Sequence, residues 1–281
     1  MRAPVEADIA TVVRLASQHS PEPLAEATLR TEWESPRIDL ERDARIEEDA
    51  YVLVERFDED RVWIGVDGTP SGELLDWAET RARELGTRML AGAWSANDTV
   101  LEALEQRGYR LVRHSHRMLI DLDQPPPEPS WPNGVTVRTF EPGDEKLFYD
   151  VHQETFKDSW EPIDEPYDEW AHWLLSAPTF VPDLWFLAEE RGEPAGIAIC
   201  HPHSSAPDHG WIRILGVRRD WRRRGVGRAL LLHAFGEFRR RGLAAAGLGV
   251  DAESLTGANR LYENVGMRVH ARFDIYEKAA A

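Results

Sequence analysis

Between Val217 and Leu231 the chain reads Val-Arg-Arg-Asp-Trp-Arg-Arg-Arg-Gly-Val-Gly-Arg-Ala-Leu-Leu. Arg222, Gly225 and Gly227 set the pattern R-x-x-G-x-G where an apolar strand gives way to an amphipathic helix. A helix start carries backbone N–H groups without intrahelical partners and a partial positive charge. Glycine lets such a backbone approach a ligand closely. Together these features suit an anion such as a pyrophosphate. Arg218, Arg219, Arg222, Arg223, Arg224 and Arg228 add a local basic cluster, which also reads as a solvated charged face or a nucleic-acid patch. The Walker pattern G-x-x-x-x-G-K-[ST] is absent, and Gly225-Val-Gly-Arg-Ala-Leu lacks the third glycine of a dinucleotide fingerprint. After the next strand, Asn259, Tyr262 and Gly266 are spaced as N-x-x-Y-x-x-x-G.

These residues need elements to hold them. In the C-terminal half, Val135–Phe140 reads as a strand, and Asp144–Phe156 and Tyr167–Leu175 as helices. Leu184–Glu190 and Ala195–Cys200 read as a hairpin, and Trp211–Val217 as another strand. Val226–Arg241 is amphipathic, with Val226, Leu230, Leu231, Ala234, Phe235 and Phe238 on one face and Gly242 as its cap. Ala245–Val250 is a strand, Thr256–Asn264 a helix, and Met267–Tyr276 supplies one or two closing strands. The N-terminal half repeats this order: strands at Tyr51–Glu55 and Arg61–Val66, an amphipathic helix at Gly72–Leu85, a strand at Met89–Trp94, a helix at Thr99–Gln106, then Gly108-Tyr109 before strands to Leu122. We read this as an internal duplication. The proline-dense stretch 123–134 is the expected linker between a domain at 1–122 and a domain at 135–281.

The chain has 281 residues and a net charge of −17. So acidic a surface repels phosphate backbones, which argues against general nucleic-acid binding, and it suits cationic partners. Solubility alone is the plainer explanation. The single cysteine, Cys200, excludes an intrachain disulfide framework and a multi-cysteine zinc site, and suggests a cytoplasmic protein. Residues 1–30 show no signal peptide, and no apolar run approaches the roughly 18 residues of a membrane span.

The R-x-x-G-x-G loop between strand and helix resembles the acyl-CoA-binding loop of the GCN5-related N-acetyltransferases, the GNAT superfamily, and N-x-x-Y-x-x-x-G resembles that family's second signature. The resemblance covers about Val135 to Lys278. It implies an α/β (mixed α+β) fold of two tandem GNAT-like domains, each a mixed, mostly antiparallel sheet flanked by helices. It also implies an enzyme that moves an acetyl group from acetyl-CoA to a primary amine by direct attack in a ternary complex, without a metal. On that resemblance Leu215, Gly216, Val217, Arg222, Arg223, Arg224, Gly225, Val226, Gly227 and Arg228 hold the cofactor, the Val217 N–H faces the carbonyl oxygen, and Asn259 lies along the pantetheine. Tyr262 protonates the departing thiolate, as a positioned phenol can, although the same residue also reads as a half-buried core aromatic.

The N-terminal copy departs from the pattern. No arginine lies between Val66 and Gly72, and aligning Gly108 with Gly266 puts Leu104 at the place of Tyr262 and Leu101 at that of Asn259. It is expected to be a degenerate copy that does not bind acyl-CoA productively.

The strand Trp211–Val217 carries no carboxylate, so Asp251 is the first candidate for the general base, with His203 and His209 behind it. For the acceptor, a stretch where Trp160, Tyr167 and Trp170 alternate with Asp158, Glu161, Asp164, Glu165, Asp168 and Glu169 suits a cationic amine with an apolar body, and equally suits a core-plus-solvent helix face. Asp158, Trp160 and Trp211 are the acceptor candidates. The layout is similar to that of the mycothiol synthases, which act on a cysteinyl pseudo-disaccharide. An antibiotic or protein amine is an alternative acceptor, and a non-catalytic acyl-CoA-binding module an alternative class. A monomer or homodimer is expected, with neither nucleic acid nor membrane as partner.

Overall fold

A computed structural model describes residues 1–281 except 22, 23, 161, 163, 204, 205, 207, 255, 280 and 281. Its contacts divide the chain into two compact units, one of residues 1–115 with 271–281 and one of residues 116–270.

In the first unit, α1 (Ile9–Ser17), α2 (Glu26–Trp33) and the short α3 (Leu40–Asp43) precede β1 (Ala44–Ile46), β2 (Ala50–Arg56) and β3 (Arg61–Gly68). Then come α4 (Gly72–Leu85), β4 (Arg88–Trp94), α5 (Asp98–Gln106) and the first part of β5 (Arg110–Asp121). β1, β2 and β3 pair antiparallel, and β3 pairs parallel with β4 across α4. The parallel step follows from the amphipathic crossover: Leu74, Leu75, Ala78 and Ala82 of α4 are buried with Val52, Val54, Val62 and Ile64 of the sheet.

The second unit holds β6 (Val135–Thr139), α6 (Glu145–Phe156), α7 (Tyr167–Leu175), β7 (Trp185–Glu190), β8 (Glu193–Pro202), β9 (His209–Val217), α8 (Val226–Arg240), β10 (Ala245–Asp251), α9 (Ala258–Asn264) and the start of β11 (Arg268–Ala279). Its strands lie in the order β5-β10-β9-β8-β7-β6. β6 to β9 pair antiparallel in succession, and β9 pairs parallel with β10. Val226, Leu230, Leu231, Ala234, Phe235 and Phe238 of α8 all enter the core on one face of this sheet, while α6 and α7 bury Phe148, Val151, Trp170 and Leu174 against the other. In both units the helix after the second parallel strand ends at a left-handed glycine, Gly108 (φ 84°) and Gly266 (φ 96°), as the duplication requires.

The division differs from a cut at the prolines. Trp131, inside the proline-dense stretch, packs on the core of the second unit and meets His233 edge-on at 6.0 Å. The closing strand crosses the other way. Phe273 to Ala279 of β11 pair antiparallel with Trp94 to Arg88 of β4, and Tyr276 enters the first unit's core. Arg88 with Glu277 and Lys278 with Glu79 fix the register by ion pairs. The first unit therefore borrows its last strand from the end of the chain.

Candidate active site

Strands β9 and β10 are paired from His209–Ala245 to Ile212–Leu248, yet they continue to Val217 and Asp251. Beyond Ile212 they part. A cavity of about 770 Å3 opens beside this end of β9, lined by Leu215, Gly216 and Val217 of β9, Arg219 to Arg223, Gly225, Gly227 and Arg228 at the start of α8 (Asp220 excepted), and Leu261 and Tyr262 of α9. Thr155 closes it from α6. A Cβ on Gly216 would stand 2.3 Å from Thr155 Oγ1, so glycine is what allows α6 to lie against β9 there.

The loop into α8 is shaped by two left-handed residues, Arg223 (φ 60°) and Gly225 (φ 97°). Gly225 is the N-cap of α8, and no side chain accepts a hydrogen bond from the helix start. A Cβ at Gly225 would meet no atom within 4 Å, so the space above the helix end is open. Gly227 serves close packing instead. Its Cβ would press on Leu261 at 3.3 Å and Val217 at 3.4 Å, so glycine lets α8 approach β9 and α9. Val226, whose main-chain amide is the group expected at the cofactor, buries its side chain in the core at 1% exposure.

The six arginines separate into two groups. Arg218 pairs with Glu154, Arg224 with Glu190, and Arg219 and Arg222 both grip Asp158. Arg222 also donates through Nε to the Val217 carbonyl at 2.9 Å. Arg222 thus braces the loop to β9 and α6. Arg223 and Arg228 make no ion pair or side-chain hydrogen bond among the described residues, are exposed, and line the cavity. Asp158, expected at the acceptor, is held far below the usual carboxylate range by the Arg219 and Arg222 guanidinium groups. It anchors the loop.

Tyr262 is 7% exposed, lines the cavity, and its hydroxyl has no hydrogen-bond partner among the described residues. Burial pushes its pKa up to about 12, so the phenol keeps its proton. Asn259 spends its Nδ2 on the carbonyls of Asp251 and Ala252, both at 2.9 Å, which leaves Oδ1 buried and without a partner. Asp251 closes a turn, its Oδ1 accepting the Glu253 N–H at 2.9 Å, and it is not among the residues lining the cavity.

Nearer the start of β9, Trp211 meets His203 edge-on at 5.2 Å and lies under the Arg117 guanidinium. Trp170 is fully buried, and its Nε1 donates to His152 Nδ1 at 3.0 Å, so it is core. Trp160 is half-buried in the turn after α6, and Glu161 lies outside the described residues. Cys200 is fully buried, and its thiol is pushed well above the usual range. No group of three metal-ligating side chains occurs among the described residues, and no helix among them is long and apolar enough to cross a membrane.

Sequence reasoning misses Thr155, Trp221, Thr256, Gly257, Ala258 and Leu261 as cavity residues. The left-handed φ of 77° at Gly257 corresponds to a signal the sequence does carry, since a glycine just before the Asn259–Tyr262 helical turn marks a tight helix entry.

Residues 146–267 match the acetyltransferase (GNAT) family. The mycothiol acetyltransferase of Thermobispora bispora is 34% identical over 221 residues, covering 70% of this chain and 72% of that protein. That of Streptomyces coelicolor is 31% identical over 220 residues, covering 72% and 69%. The crystal structure of a GCN5-related N-acetyltransferase from Sphaerobacter thermophilus superposes with a TM-score of 0.79 at 34% identity, covering 99% of this chain and 95% of that one. A tandem GNAT protein from the clavulanic acid biosynthesis pathway gives a TM-score of 0.72 at 13% identity, covering 100% and 97%, a likeness of fold alone.

Proposed function

This chain belongs to the GNAT family of acetyltransferases, and we propose that it transfers the acetyl group of acetyl-CoA to a primary amine of a small molecule, by direct attack while both substrates are bound. The observation that carries this reading is the uncapped start of α8, with Arg223 and Arg228 unpaired beside it, opening into the cavity that holds the Tyr262 hydroxyl. The residues fit coenzyme A. Free N–H groups and two unpaired guanidinium groups suit a diphosphate. The buried, unpartnered Asn259 Oδ1 suits an amide N–H of the pantetheine arm.

Acetyl-CoA supplies the activated thioester. The chain's own residues then do three things. The α8 start and its arginines fix the diphosphate, which orients the thioester along β9. The unpaired edge of β9 near Val217 offers main-chain donors to the carbonyl oxygen as charge develops. Tyr262, protonated through the physiological range, donates to the departing sulfur.

For the acceptor, the relatives named mycothiol acetyltransferase favour a cysteinyl pseudo-disaccharide amine. The N-terminal copy serves as a degenerate GNAT-like partner, and the single buried cysteine suits work in the cytoplasm. Chromatographic quantification of free CoA and acetylated product, with acetyl-CoA and a panel of amines that includes this acceptor, is the test. Amine-dependent CoA release is expected. Tight CoA binding without turnover of any amine would instead favour a non-catalytic binding module.

A further inference from the structure

We propose that the first unit binds a small organic cation, a protonated primary amine with a compact apolar body, in the cavity between β3, β4 and the helices α1 and α2. The proposal goes beyond the acetyltransferase reading and does not depend on it.

Strand pairing makes the cavity. β3 and β4 are last paired at Gly65–Gly92, yet they continue to Gly68 and Trp94. From that pair onward both strands line a cavity of about 210 Å3. Val62, Ile64 and Val66 of β3 enter the core with α4, so alternation sends Trp63, Gly65 and Asp67 to the other face. Leu15 of α1 and Glu32 of α2 complete the lining there. A Cβ on Gly65 would find its nearest atom, Trp63 Nε1, at 3.5 Å, so the space above this glycine is unfilled. A Cβ on Gly92 would stand 2.6 Å from Phe273 Cε1, so glycine lets that ring lie against β4.

The walls offer the two surfaces that such an amine needs. Phe273 stacks on Trp63 at 6.1 Å and meets Trp94 edge-on at 5.3 Å, and all three rings line the cavity. Aromatic faces attract cations and pack against apolar bodies. Glu32 and Asp67 supply the carboxyl groups. Neither makes a side-chain hydrogen bond or an ion pair among the described residues, and no lysine or arginine lines the cavity. Each carboxyl sits deep among protein atoms, and the part of its surface left free belongs to the cavity wall.

A buried carboxylate without a partner is costly, and an ammonium supplies the missing countercharge. Burial, with Asp67 and Glu55 nearby, raises Glu32 to about 8, and burial raises Asp67 to about 7. The other groups that face the pair add no fixed positive charge. Glu55 and Tyr51 stand on β2, and the Tyr51 hydroxyl accepts from Trp33 Nε1 at 3.0 Å. Asn97 accepts the Val100 N–H at 3.3 Å, and His19, after α1, is exposed and carries charge only when protonated. A bound cation draws the carboxyls into their ionised form, so binding releases protons and tightens as pH rises.

Calorimetry of the full-length chain with benzylamine, and with benzyl alcohol as its uncharged counterpart, tests the proposal. Benzylamine should bind saturably with proton release, and its affinity should rise about tenfold between pH 6 and pH 8, the range in which Asp67 ionises. Benzyl alcohol should bind about tenfold more weakly at pH 8, or worse. The variants locate the site. Asp67→Asn should weaken benzylamine by about tenfold or more and flatten its pH dependence. Gly65→Leu, which fills the cavity, should abolish binding. Both should melt within a few degrees of wild type. In the wild-type chain the amide signals of Gly65, Gly68 and Gly92 should shift during the same titration, a readout that needs no variant to fold. No saturable benzylamine binding up to about 10 mM at pH 8 overturns the proposal. So does equal affinity for the alcohol, or binding that leaves the Gly65 and Gly92 signals unmoved.

Discussion

Two helices in this molecule each follow the first strand of a parallel pair, and they begin in opposite ways. α8 starts at the left-handed Gly225 with no side chain over its N–H groups, and Arg223 and Arg228 stand free beside it. α4 starts at Ser71, whose hydroxyl accepts the Leu74 N–H at 3.1 Å and donates to Glu47 at 2.9 Å. The Gly72 carbonyl is held by Arg107 at 2.7 Å. The start of α8 keeps its donors open, whereas at the start of α4 a side-chain cap takes one, with a carboxylate added. The cavities differ in the same sense. The cavity beside β9 and α8 is about 770 Å3 and lined by arginines, whereas the one beside β3 and β4 in the first unit is about 210 Å3 and lined by Glu32 and Asp67. Tyr262 faces a cavity, but Leu104 at the matching position is core. One architecture thus carries two differently furnished helix starts, set apart by a few polar side chains.

The two units should differ most at the phenol. Tyr262→Phe is expected to lower kcat by about 10²-fold or more while the Kd for CoA from calorimetry changes less than threefold. Equal activity would remove the hydroxyl from the reaction.

The helix starts come next. Gly225→Val forces a β-branched residue into the left-handed region, at a cost of roughly 1–2 kcal/mol, and should weaken CoA binding at least tenfold. Gly72→Ala, whose new Cβ has only Arg107 Nη2 at 3.9 Å, should leave both melting temperature and turnover within error. Similar losses in the two variants would erase the distinction between the helices.

The arginines sharpen the contrast. Arg223→Ala with Arg228→Ala should weaken CoA by roughly tenfold, as expected for exposed charge-assisted contacts, and should flatten the dependence of Kd on salt. Arg222→Ala should mainly lower the melting temperature, because Arg222 ties the loop to Val217, Thr155 and Asp158.

The smallest effect concerns the acidic cavity. Burial and neighbouring carboxylates raise Glu32 to about 8, and burial raises Asp67 to about 7. The folded chain therefore holds protons that the unfolded chain releases near pH 4. Their contribution to stability is largest below about pH 4 and declines as pH rises to about 8. Urea midpoints should fall between pH 5 and pH 8.5, and Glu32→Gln should flatten that fall. An unchanged slope would mean that Glu32 is ionised throughout.

The positions that demand glycine are legible in the sequence, because a left-handed turn at Gly225, Gly108 or Gly266 excludes most other residues. The strong stripe of α8 is legible for the same kind of local reason. The division of labour among six arginines is not, since their partners Glu154, Asp158 and Glu190 lie more than thirty residues away along the chain. β11 reads as a strand, but its partner is a matter of register with β4, nearly two hundred residues earlier. Trp170 resembles part of an acceptor pocket because an amphipathic helix does not announce which aromatic turns inward.

The central claim is that the start of α8 grips the diphosphate of coenzyme A. Backbone amide NMR during titration with CoA tests it directly. Saturable shifts are expected at Val226, Gly227 and Arg228, with none at Gly72 to Leu74. Unmoved signals at residues 226–228, or saturable shifts confined to the start of α4, would contradict the account.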